Sequence, residues 1–228
     1  MRGRRTVFKL LHMTAVKRLY PLIALAAITF AVAGVLAGPG ASMNVTVSEY
    51  AVADRGGVTE LAMAVMALGS VALLAGLRGA GAPVRGMPAG LFMVWSGALA
   101  VAAVVPATPL GMESAVQVHR WALVAAFVSL PVAAALLVPR LAADEGWKPV
   151  ARVVEWLALA GGLGVLAMTY VALPGGGVLI GLVEWALLGA EVALLTVLAG
   201  WLVRVVWLGS VRRTANFPTY HRIIASRS

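Results

Sequence analysis

Two carboxylates stand inside an otherwise apolar run, GLVEWALLGAEVALL, at Glu184 and Glu191. On an α-helix seven residues make nearly two turns, so both acids share one face, about 10 Å apart along the axis. An acid in hydrocarbon is costly enough that it faces a partner, a hydrated cavity or a neighbouring helix. The chemistry open to this pair is proton carriage, ligand binding, or donation from a carboxylic acid kept neutral by burial. The structural alternatives are equally concrete. Glu184 can form an ion pair with Arg120 or a hydrogen bond to His119 that locks two spans together. A protonated Glu191 can bond Ser129 or Thr169 of a neighbouring helix.

Further polar residues fall near the same side of the chain's apolar segments. Ser48 and Glu49 lie in a loop, Glu60 opens one span, and the His119-Arg120 pair opens another. The candidate set is therefore Glu184, His119, Arg120, Glu49, Ser48, Glu60 and Glu191. The sequence has no cysteine and only His12, His119 and His221 as histidines. Hydrolytic zinc sites take two or three histidines, so one histidine with scattered carboxylates predicts no metal. No phosphate loop, dinucleotide fingerprint, nucleophile elbow or HExxH pattern occurs, and no cofactor is expected.

The elements that must position these residues follow from composition. Hydrophobic residues make up 61% of the chain and charged ones 12%, with a mean hydropathy of +0.94. Soluble domains carry about 45–50% apolar and about 25% charged residues, so the expected class is an all-α polytopic membrane protein. Six spans are predicted, at about 19–38, 59–77, 86–105, 119–138, 153–173 and 178–206. Each is near the 20 residues that cross a bilayer. The first is preferred over a cleaved signal peptide, whose apolar region runs about 7–15 residues. Pro131 lies inside the fourth span and should kink it. The tight Pro174–Gly177 turn makes the last two spans an antiparallel hairpin. The sixth is long enough to tilt or project.

The net charge of +9 reads as topology and not as a nucleic-acid surface. Six basic residues lie in segment 1–18, two follow span two, three follow span four, and five lie from Arg204 onward. Against these sixteen, the other side has only Arg55 and Arg120. The positive-inside rule then places both termini, segments 1–18 and 207–228, in the cytoplasm. Trp147, Trp156, Trp201 and Trp207 fall toward the same ends, as an interfacial belt does. The Arg, Ala, Gly, Val and Leu bias suggests a bacterial plasma membrane. On this topology Glu184 lies in the outer third of the bilayer. Glu191, about 18 Å from the helix start at 1.5 Å per residue, lies near the midplane without a charged partner.

Several short motifs recur in a recognisable order: Ser48-Glu49, Pro106–Gly111, His119, Pro131 and Gly181-Leu182-Val183-Glu184. Together they resemble the DUF998 family of bacterial six-helix membrane proteins, over roughly Leu19 to Arg204. In the family that the chain resembles, an aspartate is common where this chain has Thr108, and a basic residue often stands where it has Trp185. The resemblance implies the six-helix fold and points to the outer polar set; it carries no activity.

Three functions are compatible with this reading. The preferred one is a non-enzymatic membrane protein with an outward-facing polar cavity that binds a lipid or small amphiphile, in an accessory, binding or permease role. Association as a homodimer or with a larger assembly fits that role. The second is an intramembrane lipid- or isoprenoid-modifying enzyme with Glu184 or Glu191 as general acid. The third is proton-coupled transport along the two glutamates.

Overall fold

A computed structural model describes residues 2–36, 57–105 and 113–208, with side chains from Arg18 to Trp207. Ser48, Glu49, the Pro106–Gly111 motif, His221 and the tail from residue 209 lie outside the described residues. The described chain is helical throughout: α1 (Arg2–Leu36), α2 (Val58–Gly79), α3 (Met87–Val104), α4 (Glu113–Ala143), α5 (Lys148–Ala172) and α6 (Ile180–Val203). A π-helical turn, Arg204–Leu208, continues α6. All six helices are long and apolar enough to cross a membrane.

Helices α1 and α4 outrun their expected spans because charge limits the bilayer-crossing stretch without ending a helix. Helix α1 begins at Arg2, although the apolar run in its sequence starts only at Leu19, after Lys17 and Arg18. Helix α4 runs through both Pro131 and Pro139 without a break. Each proline withholds one N–H from the carbonyl four residues back, a loss that neighbouring helices can compensate in a membrane. Helices α3 and α5 each carry a proline in their first turn, where the missing N–H has no intrahelical partner to lose.

Successive helices pack on one another, and α6 returns to α1 to close a ring; α6 also touches α2 and α4. Small residues bring the backbones together. A Cβ on Gly69 of α2 would collide with Ala27 of α1, and one on Gly161 of α5 would lie 2.8 Å from Cγ of Pro131. Without a hydrophobic drive between helices in lipid, this close van der Waals approach is what holds them. Between α2 and α3, the hydroxyls of Ser70 and Ser96 lie 2.6 Å apart, and each also lies within reach of a backbone carbonyl in its own helix. Two protons serve three contacts, so one Ser hydroxyl donates across the interface and the other to its own helix. Leu68, Leu163, Leu166 and Leu182 point outward, as lipid-facing residues do.

The α5–α6 hairpin forms as expected. Its turn is closed by Gly175 N–H to the Tyr170 carbonyl and Gly177 N–H to the Val171 carbonyl. Gly176 and Gly177 adopt φ of 61° and 79°, left-handed values that suit glycine. At the opposite end of the bundle, Arg18, Arg152 and Arg204 stack over Trp207, Trp156 and Trp201. Trp201 also donates its Nε1–H to the Gly146 carbonyl at 3.0 Å, tying α6 to the α4–α5 turn. Arg152 and Glu155, three residues apart on α5, pair at 3.0 Å.

Candidate functional site

The buried residues of α6 run Gly181, Glu184, Leu187, Glu191, Leu194, Leu195, Leu198, Ala199 and Leu202. Spacings of three and four put them on one stripe facing the ring's interior. Both acids occupy positions that leucine takes above and below them. Glu184 is 2% exposed and Glu191 3%. In α4, His119, Ala122, Ala126 and Leu130 form the corresponding inward stripe, and His119 is 5% exposed.

These stripes meet around a cavity of about 280 Å³, lined by α1, α2, α3, α4 and α6. It extends from Leu36 and Thr59 near the ends of α1 and α2, and from His119 in the second turn of α4, inward to Met66, Trp95 and Glu191. Glu184, Glu191 and His119 all line it, so the two acids that the sequence separated by depth share one chamber. The expected polar cavity drew in part on Glu49, which lies outside the described residues. Among the described residues most of the lining is Ala, Val, Leu, Met or Phe, because each of the five lining helices contributes its membrane-spanning stretch and only a few polar side chains interrupt it.

The expected partners are also revised. His119 Nδ1 lies 2.9 Å from the Val105 carbonyl, at the C-terminal end of α3. A carbonyl only accepts, so Nδ1 carries the hydrogen, and in the neutral ring Nε2 is an acceptor. Nε2 is buried with no hydrogen-bond partner among the described residues, so the anticipated His119–Glu184 bond is not made. Arg120 is exposed and does not line the cavity, since the next position on a helix turns about 100° away from His119. It therefore does not supply the ion pair expected for Glu184.

Glu191 does not bond Ser129 or Thr169. Those hydroxyls donate to the Ala126 and Val165 carbonyls of their own helices. Instead Trp95 of α3 donates Nε1–H to Glu191 Oε2 at 3.4 Å, reaching across the ring between helices whose backbones do not pack together. Glu191 Oε1 and Trp185 Nε1 are buried without a partner among the described residues. Trp185 also lines the cavity. Glu60 stands apart. It lies in the first turn of α2 with Oε2 buried and without a hydrogen-bond partner among the described residues, and it is not part of the described lining.

Trp95 is the residue that sequence reasoning missed, although a signal was present. It lies midway along an 18-residue helix, whereas membrane tryptophans favour the interfaces. An indole N–H at that depth needs an acceptor within the bundle.

Residues 21–201 match the family DUF998, described as a protein of unknown function. The chain belongs to the DUF998 family. The match spans all six helices, so the cavity and the residues that line it lie within the region that defines DUF998. No curated protein and no solved structure matches the chain.

Proposed function

We propose that this DUF998 protein binds a lipid or small amphiphile in the chamber between α1, α2, α3, α4 and α6, in a binding, accessory or permease role. The observation that carries the reading is the chamber itself: apolar walls with His119, Glu184 and Glu191 set into them. A site of this kind buries a tail and orients a head group through a few placed polar atoms. The unpartnered His119 Nε2 and Glu191 Oε1 are the atoms that a bound head group would satisfy. The segregation of basic residues and stacked tryptophans at the other end of the bundle supports a bacterial plasma-membrane orientation. Both termini are then cytoplasmic and the chamber lies toward the outer leaflet.

Mass spectrometry of protein purified in mild detergent tests this reading. Wild type should retain a small amphiphile at near-unit stoichiometry. Ala126→Phe, which fills the chamber from a fully buried lining position, should release it without loss of helical content. Equal retention by both proteins refutes the reading.

A second reading, proton-coupled transport, is favoured by one observation: Glu184 and Glu191 line the same chamber two helical turns apart. Its test is uptake in vesicles under an imposed proton gradient, where unchanged transport by Glu191→Gln removes it.

A further inference from the structure

The walls of the chamber are not equally closed. At the end of the bundle away from His119, α1 and α6 meet on α2. A Cβ on Gly76 would lie 2.9 Å from Cβ of Tyr20 and 2.7 Å from Cδ2 of Leu202. Arg18 of α1 also stacks over Trp207, just past α6. Toward the His119 end the same two helices lose cover. Ala199, Val192 and Trp185 follow one another at seven-residue spacing, so they share one stripe of α6. Ala199 is fully buried, while Val192 and Trp185 line the chamber and are partly exposed. On α1, Pro21 and Ile28 are buried, and Val35, seven residues beyond Ile28, lines the chamber and is partly exposed. Leu36 and Gly189, both lining residues, are exposed. A Cβ on Gly189 would meet nothing within 4 Å among the described residues. The chamber is therefore open on the side between the halves of α1 and α6 nearer His119.

This opening lies at membrane depth. Gly189 is about 14 Å along the axis from the start of α6 at Ile180, at 1.5 Å per residue, and the bilayer core is about 30 Å thick. What adjoins the opening from outside is hydrocarbon and not water. Val32, Val35, Leu36, Leu188, Gly189 and Val192 flank it without a polar side chain. The chamber's volume of about 280 Å³ is roughly twice the ~150 Å³ of an apolar cavity that admits benzene, so a length of alkyl chain fits. A helix, about 10–12 Å across, does not, which disfavours a second copy of this chain as the occupant.

From this juxtaposition we propose that the chamber opens sideways into the bilayer between α1 and α6 and takes up one acyl chain of a membrane lipid through that opening. The inference rests on the amphiphile-binding reading above and adds the source and route of the ligand. A chain moving from the bilayer into the chamber crosses no water. What holds it there is van der Waals contact with the wall, which an empty chamber forfeits.

The test is photolabelling of the full chain in phosphatidylcholine nanodiscs doped with a phosphatidylcholine that carries a diazirine near the end of one acyl chain. Labelled residues are mapped by mass spectrometry. Wild type should be labelled at Met66 and Leu99, buried residues of the chamber wall, and at Leu163 and Leu166, which face the surrounding lipid on α5. Gly189→Trp places an indole in the opening, where there is room for it, and should lose the chamber labels while keeping those on α5. Gly97→Trp adds the same bulk to an exposed position of α3 outside the lining and should keep both sets. Circular dichroism checks that each variant is folded, and Leu188→Trp, also at the opening, carries the same expectation if Gly189→Trp is not. Chamber labels that persist in the folded variant overturn the sideways route. Wild-type labels confined to α5 overturn the acyl chain as occupant. The amphiphile reading then stands if wild type still retains a small amphiphile that Ala126→Phe releases, and falls with the inference if it does not. Cross-links between two copies of the chain through α1 and α6, without chamber labels, place a second copy at the opening and overturn the proposal.

Discussion

Replacing Trp95 with phenylalanine removes the one side-chain hydrogen bond that Glu191 makes among the described residues, while keeping an aromatic ring in the interior of α3. The bond is long, at 3.4 Å against a usual 2.7–3.2 Å, so its direct worth is small. Interhelical hydrogen bonds in membranes average about 0.6 kcal/mol and reach about 1.7. The larger effect comes from what is left behind. Glu191 is 3% exposed and its Oε1 already lacks a partner, so losing Trp95 Nε1 orphans both oxygens. An unsatisfied buried polar group costs about 1–3 kcal/mol. Trp95→Phe also loses indole packing, and a double-mutant cycle with Glu191→Leu removes that contribution. In the leucine background no acid remains to be orphaned, so the Phe substitution should cost only packing. The coupling between the sites should therefore be about 0.6–3 kcal/mol, measured by reversible unfolding in mixed micelles titrated with denaturing detergent. Glu191→Leu alone should destabilise less than Trp95→Phe alone, since it removes an acid with one weak bond. A coupling near zero, or a leucine variant less stable than the phenylalanine one, would refute the assignment of Trp95 as the partner of Glu191.

Other consequences are as direct. Gly161→Leu should destabilise by about 1–3 kcal/mol in the same assay, because its Cβ would enter the Pro131 ring. Gly162→Ala, next to it, meets nothing within 4 Å and should be neutral or stabilising by up to about 1 kcal/mol. Arg152→Ala should change stability by less than about 1 kcal/mol, since its pair with Glu155 is exposed. The native chain has no cysteine, so single substitutions report topology cleanly. Val178→Cys, exposed in the α5–α6 turn, should react with an impermeant thiol reagent from outside intact cells, and Gly146→Cys only after permeabilisation. The opposite pattern would invert the proposed orientation.

The six-helix architecture was legible in the chain because a bilayer imposes a length and an apolarity that each span must meet by itself. The end at which basic residues and tryptophans gather was equally legible, since it needs only a count along the chain. The one-face relation of Glu184 and Glu191 follows from helical periodicity alone. Partners were another matter. Whether Glu184 meets Arg120, or Glu191 meets Ser129, depends on how each helix is rotated about its axis, and spans that are hydrophobic nearly all round leave that rotation undetermined. Close packing at contacts such as Gly69 with Ala27 and Gly161 with Pro131 decides it. Those contacts turn Arg120 outward and bring Trp95 across the ring to Glu191. They also make one chamber of two acids that depth alone had kept apart.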